Sequence, residues 1–192
     1  MTQLQSVLNA IDNINKADIN TTIVDGIGQP KELLYGQQMS ACLEKHWPDA
    51  NDNLQIAVRA QHIKRWHLKR VDFPSGKQGY LTWRKALGVF HGATAKALML
   101  EYGYSEANAE TTAAIIRKEK IKSNSDSQTL EDVACLVFLQ YYFDAFAAKH
   151  KEEKIIRILQ LTWRKMSTKG QEIALNLSLP AHLAKLIGKA LA

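Results

Sequence analysis

The stretch Leu130-Glu131-Asp132-Val133-Ala134-Cys135-Leu136-Val137-Phe138-Leu139 opens the most apolar segment of the chain, which continues to Ala148. Apolar residues occupy almost every face of a helix drawn through residues 130–148, and a helix of that kind is buried. We therefore predict a central buried helix here. Its longest uninterrupted apolar run, Val133–Leu139, is far shorter than the ~20 residues of a membrane span, so no membrane insertion is expected.

Apolar residues recur at helical spacing on both sides of this segment, while no alternating strand pattern, repeat or linker is found. The 192 residues are 46% hydrophobic and 23% charged, as in an ordinary globular protein. The sequence therefore predicts an all-α fold, a single helical domain of about seven to eight helices over residues 1–192. Helices are predicted at residues 3–15, 30–46, 49–68, 80–102, 105–122, 130–148, 152–165 and 180–191, with a loop at 18–29 that contains Asp25-Gly26.

The N-terminus has no basic start followed by an apolar core, so no secretion signal is expected. The two cysteines, Cys42 and Cys135, lie far apart and form no CxxC motif. We expect both thiols to be reduced, which fits a cytoplasmic protein.

Positive charge is concentrated in one part of the chain. The whole sequence carries a net charge of +6, whereas residues 59–85 alone hold eight Lys and Arg against the single acid Asp72. Two interpretations stay open at this point: a solvated basic face, or a site for an anion. The arginines of this stretch favour the second, because the planar guanidinium matches phosphate and carboxylate.

Three polar residues stand on otherwise apolar predicted helices: His62, His91 and Asp132. His91 is flanked by Gly88 and Gly92, each costing ~1 kcal/mol relative to Ala in a helix interior, so close approach of another helix or of a ligand should compensate. Two of these residues also have a structural interpretation. His91 could be a hydrogen-bonded core residue. Asp132 ends the start pattern Thr129-Leu130-Glu131-Asp132 and could help to cap the apolar helix that it opens.

Two short strings resemble the signatures of class I aminoacyl-tRNA synthetases. Gln61–Lys64 resembles HIGH, and Lys165-Met166-Ser167-Thr168-Lys169 resembles KMSKS. In those enzymes the motifs sit on a sheet of alternating strands and helices, which this sequence does not predict. We expect residues 165–169 to be a helix end rich in Lys, where the helix dipole favours cations.

Four segments together resemble the HD-domain superfamily of metal-dependent phosphohydrolases: Arg59–His62, Gly88–His91, Ile115–Glu119 and Ser125–Leu136. The resemblance implies an HD-like core at about residues 50–150, with the N-terminal helices of 3–46 and the C-terminal helices of 150–191 packed on it. It also implies a divalent metal, Mn, Fe, Zn or Ni, that activates water against a phosphoester. Gly92 stands where the superfamily has Asp, so the alternative is a site without a metal.

The resemblance implies a role for each candidate residue. The metal ligands would be His62, His91 and Asp132. Glu119 would ligate the metal or act as general base. The phosphate would be bound by residues of the basic stretch, namely Arg59, Arg65, Tyr80 and Arg84.

A closer resemblance extends over nearly the whole chain. Ala60–Trp66, Gly79–Arg84, Leu130–Leu139 and Lys165–Ser167 are similar to the domain of unknown function 4202 family. This resemblance implies no activity, so function depends on the candidate site.

Two functions from different classes follow from these residues. The first is metal-dependent hydrolysis of a phosphoester in a small nucleotide or another phosphorylated metabolite. The second is a non-catalytic module that binds an anion, RNA or a protein partner through the basic stretch 59–85. The apolar faces of the last two helices would suit a homodimer, which the sequence leaves open.

Overall fold

A computed structural model describes residues 1–192. The chain is mainly α-helical, as predicted, with ten α-helices and one antiparallel pair of strands. In chain order the elements are α1 Gln3–Asn15, β1 Thr21–Val24, β2 Ile27–Pro30, α2 Lys31–His46, α3 Asp52–Ala60, α4 Gly76–Glu101, α5 Glu106–Ile116, α6 Ser125–Val137, α7 Phe143–Ala147, α8 Glu152–Lys165, α9 Thr168–Leu175 and α10 Ala181–Leu191.

The chain divides into two compact units, residues 1–130 and residues 131–192. In the first unit α4 packs on α5 and on α3, and α1 and α2 also pack on α3. In the second unit α8 packs on α10. The boundary lies inside α6. The domain limits predicted from the sequence stay a prediction.

Several helices begin and end where the sequence places them. The predicted bounds of α1, α2, α8 and α10 agree with the structure to within one residue. The start of α2 and that of α10 each follow a proline, Pro30 and Pro180, whose fixed φ suits the beginning of a helix. Side-chain caps start four helices, α1, α3, α5 and α9, because the first backbone N–H groups of a helix have no partner within it. The hydroxyl or amide oxygens that accept these hydrogen bonds belong to Thr2, Asn51, Ser105 and Ser167.

The prediction of a loop at residues 18–29 is wrong, because a β-hairpin forms there. Asp25 and Gly26 both have positive φ, 51° and 79°, as the tight turn of a hairpin requires. Each strand has only four residues, and the isoleucines Ile23 and Ile27 are exposed, so apolar residues do not mark a buried face of the strands. Asp18 accepts hydrogen bonds from the backbone N–H groups of Asn20 and Glu32, which joins the hairpin to the start of α2.

Two helices end earlier than predicted. α3 ends at Ala60 rather than near 68, and α5 ends at Ile116 rather than near 122. Lys64 and Lys118 follow these ends with φ of 55° and 58°, in the left-handed region where glycine is the usual residue. Because lysine is a good helix former, neither break has a sequence signal. Both breaks place basic residues on turns.

The apolar segment at residues 130–148 is buried over its first half. All but two residues from Leu130 to Leu139 are buried, which confirms the central helix for that part. A π-helical turn at Phe138–Tyr142 then separates α6 from α7. Gln140, Tyr141 and Asp144 are exposed, so the second half does not continue as a buried helix. This division, together with α9, which the sequence did not predict, raises the helix count from about eight to ten.

None of the helices combines the length and the apolar character that a membrane span requires.

Candidate anion-binding site

A cavity of about 80 Å³ opens in the first unit, enough for several water molecules. Its walls come from the connection after α3, the middle of α4 and the turn after α5. Four cations and two imidazoles line it, together with apolar and amide groups, and no carboxylate does. The lining residues are Gln61, His62, Arg65, Arg84, Leu87, Gly88, His91, Ile116, Arg117 and Lys118.

His91 projects from α4 with only one of its ring nitrogens satisfied. Nδ1–H donates to the backbone carbonyl of Ile63 at 2.7 Å, which fixes the proton on that nitrogen. The other nitrogen, Nε2, is buried without a hydrogen-bond partner, and the residue is 2% exposed. Burial lowers the pKa of His91 to about 3. At neutral pH the ring is therefore uncharged, and Nε2 is an acceptor without a donor.

His62 is held by a carboxylate from α2. Its Nδ1–H donates to Oε2 of Glu32 at 3.0 Å, and its ring stacks on Tyr35 with centroids 4.1 Å apart. Burial, then the charges of Arg65, Arg84 and Lys118, place the pKa of His62 well below its usual range. Burial also raises the pKa of Glu32 to about 7. Three cations of the cavity therefore act together on one imidazole.

The guanidinium groups of the cavity differ in how they are held. Arg65 lies over the ring of Trp83 at 4.9 Å and has Nε 3.7 Å from a carboxylate oxygen of Glu32. Arg117 donates to Glu110 at 2.7 Å and to Glu119 at 2.6 Å. Arg84 is exposed and forms no ion pair. Two of these charges are thus fixed in position, and the third is available to a ligand.

The two glycines beside His91 have different surroundings. A Cβ at Gly92 would lie 3.1 Å from the carbonyl oxygen of Ala113, so α5 crosses α4 closely there. At Gly88 the nearest atom would be the Cα of Arg117 at 3.7 Å, and this residue forms part of the cavity wall. The expected close approach of another helix is confirmed at Gly92.

The structure brings together four of the eight predicted site residues, His62, His91, Arg65 and Arg84. Arg59 instead donates two hydrogen bonds of 2.7 Å to Asp12. Two others lie beside the cavity rather than in its wall. Glu119 is exposed and accepts from Arg117, and Tyr80 lies one turn before Arg84 on α4, 46% exposed.

Asp132 belongs to the second unit and is 2% exposed. Its carboxylate accepts hydrogen bonds from the backbone N–H and from the hydroxyl of Ser167, the N-cap of α9. A Cβ at Gly170 would lie 2.7 Å from the Asp132 carboxyl carbon, so the carboxylate is packed tightly against the helix start. The KMSTK string is accordingly the end of α8 and the beginning of α9.

Sequence reasoning missed Glu32, Arg117 and Lys118. Glu32 is 30 residues from His62, and only the fold brings the two together. Arg117 and Lys118 adjoin Glu119 in a segment already singled out, so their charges were a usable signal. The left-handed backbone of Lys118 had no signal in the sequence.

The cavity does not fit a divalent cation. Its donor set is two imidazole nitrogens, whereas protein metal sites of this kind use three or more ligands. No group of three or more His, Cys, Asp or Glu side chains is placed to hold a metal ion. The four surrounding cations would also repel one. The same charges attract an anion.

Lys118 provides a test of whether this turn is shaped for binding. A lysine in the left-handed region costs about 1 kcal/mol relative to glycine. We expect Lys118→Gly to raise the free energy of unfolding by about 0.5–1 kcal/mol and to weaken anion binding about tenfold. Lys120→Gly is the matched control, because Lys120 has φ of 50° but does not line the cavity. It should gain stability and keep its affinity, as measured by urea denaturation and calorimetry.

A protein-family model described as "Domain of unknown function (DUF4202)" matches residues 5–187 of the chain. No curated protein and no solved structure matches the chain.

Proposed function

The chain belongs to the DUF4202 family, whose description assigns no activity, and from its cavity we propose that it binds a phosphate-bearing small molecule without a metal ion. The observation that carries this proposal is the composition of the cavity wall: four cations, two uncharged imidazoles and no carboxylate. Carboxylates outside the wall pair with Arg65 and Arg117, but Arg84 forms no ion pair, and like charges that share a low-dielectric space repel. A bound phosphate would lower that repulsion.

The geometry favours phosphate over a single negative charge. Arg65 and Arg84 present planar forks that can each donate two hydrogen bonds to neighbouring phosphate oxygens. Lys118 adds a point charge from the turn after α5. The Nε2 atom of His91 needs a donor, which a protonated phosphate oxygen, a ligand hydroxyl or a bound water supplies.

The proposal draws on both functions expected from the sequence. It keeps the phosphorylated small molecule of the first function and the absence of a metal from the second. Metal-dependent hydrolysis stays a prediction of the HD resemblance, and no group in the cavity supports a step through a metal. Only Arg65 and Arg84 come from the basic stretch 59–85, because Arg117 and Lys118 lie outside it.

Isothermal titration calorimetry with inorganic pyrophosphate in the presence of a chelator tests this function. Charge-assisted hydrogen bonds from three cations correspond to a Kd on the order of 10 μM. We expect one site per chain and moderate salt dependence. Absence of binding without metal, or much tighter binding of single-stranded RNA with a steep salt slope, would contradict the proposal.

Anion binding should also depend on pH. The raised pKa of Glu32, about 7, moves higher when an anion enters the cavity, and the same anion favours protonation of His62. Binding therefore takes up protons, and affinity falls as pH rises from about 6 to 8.5, by at most about tenfold per pH unit for one proton. Sulfate is the suitable probe because it does not titrate in this range.

The control for this pH dependence is Glu32→Gln, which removes one of the two titrating groups. Its sulfate affinity should change less with pH than that of the parent. A parent affinity that stays constant between pH 6 and 8.5 would show that neither Glu32 nor His62 is linked to the anion.

A further inference from the structure

One face of α4 runs from the cavity to the protein surface. Tyr80, Arg84 and Gly88 are spaced four residues apart, and residues at this spacing lie above one another on a helix. His91, three residues further on, lies at the buried end of the row. With a rise of 1.5 Å per residue, Tyr80 stands about 6 Å beyond Arg84 and about 12 Å beyond Gly88 along the helix axis.

The outer end of this row is aromatic and fixed. Trp83 donates its indole N–H to the carbonyl of Leu68 at 3.0 Å, and the guanidinium of Arg65 covers one of its faces. The ring of Tyr80 lies 5.9 Å from that of Trp83 and is 46% exposed. Trp83 thus contacts both Arg65, a cation of the cavity, and Tyr80, an accessible aromatic ring.

Resting on the proposed function, we infer that the phosphate-bearing ligand is a nucleoside phosphate whose base stacks on Tyr80. Phosphates bound between Arg84 and Gly88 leave about one helical turn before the Tyr80 ring, a span that a ribose fills. The missing Cβ at Gly88 lets the ligand approach the backbone of α4. The exposed tyrosine ring accepts any base, because each base offers a flat aromatic face.

Calorimetry with adenosine diphosphate and with inorganic pyrophosphate, both with chelator present, tests nucleoside binding separately from the proposed phosphate binding. We expect the nucleotide to bind about tenfold more tightly, since stacking on an aromatic side chain contributes at this level. Tyr80→Ala should remove that advantage while pyrophosphate affinity stays unchanged, and Tyr80→Phe should keep it. Tyr141→Ala is the matched control, because Tyr141 is also 46% exposed but belongs to the second unit.

Each outcome decides one of the two proposals. Equal affinities for nucleotide and pyrophosphate, or a nucleotide advantage that survives Tyr80→Ala, would overturn the nucleoside assignment and leave phosphate binding intact. Failure of both ligands to bind would overturn the proposed function itself.

Discussion

Replacing Gly92 with aspartate, the residue that the HD pattern has at this position, is expected to unfold the protein rather than to complete a metal site. A Cβ at this position would lie 3.1 Å from the carbonyl oxygen of Ala113 and 3.5 Å from its Cα. The carboxylate would then face a backbone acceptor in a buried helix contact. Overpacking costs about 1–3 kcal/mol, and an unpaired buried charge adds several more, which approaches the whole stability of a typical domain.

The matched control is the same substitution one turn earlier. At Gly88 a Cβ meets nothing closer than 3.7 Å, and an aspartate there would face the cations of the cavity. We expect Gly88→Asp to fold with nearly parental stability and to lose pyrophosphate binding, as measured by urea denaturation and calorimetry. A Gly92→Asp protein that folds with parental stability, or that binds Mn²⁺ or Zn²⁺ stoichiometrically, would contradict the close helix contact described above.

The second large effect is expected on binding. In the double variant Arg65→Gln/Arg84→Gln, pyrophosphate affinity should fall by at least about 100-fold, because each charge-assisted hydrogen bond contributes about 1.5–3 kcal/mol. Arg84→Gln alone should lower pyrophosphate affinity about tenfold or more. It should leave the free energy of unfolding unchanged, since the Arg84 side chain is exposed and forms no ion pair. Calorimetry measures both variants.

Lys85→Gln is the control for charge as such. Lys85 is exposed, adjoins Arg84 in sequence and does not line the cavity. If its loss weakened binding as much as the loss of Arg84, the anion would be attracted by the general charge of residues 59–85 rather than held in the cavity. In that case the solvated basic face would be the better interpretation.

Local patterns were sufficient to predict the helical class and the starts of α1, α2, α5, α8 and α10. The starts of α3, α4 and α6 lie three to five residues from the predicted ones, and α7 and α9 were not predicted as separate helices. Apolar spacing acts within one or two turns, and a proline stands at the start of α2 and of α10, so α1, α2, α8 and α10 could be placed to within a residue. The β-hairpin was missed because its strands are short and half exposed. The ends of α3 and α5 were missed because lysine, a helix former, adopts the left-handed backbone there.

The candidate site was predictable where a single residue departed from its local pattern. His62 and His91 stood out as imidazoles on apolar segments, and Arg65 and Arg84 as members of a charge cluster. The pairing of His62 with Glu32 depends on the hairpin and on the Asp18 hydrogen bonds that set the start of α2. Arg59 belongs to the same charge cluster as Arg65, but an ion pair with Asp12 of α1 neutralises the charge of Arg59.

The position of the anion itself is the most direct measurement. A crystal structure of the chain with pyrophosphate, grown with chelator, should place phosphate oxygens about 2.7–3.2 Å from the guanidinium nitrogens of Arg65 and Arg84. It should show no metal ion between the two imidazoles. Pyrophosphate bound elsewhere, or an empty cavity that fills only when a metal ion is bound by the Nε2 atoms of His62 and His91, would contradict metal-free phosphate binding.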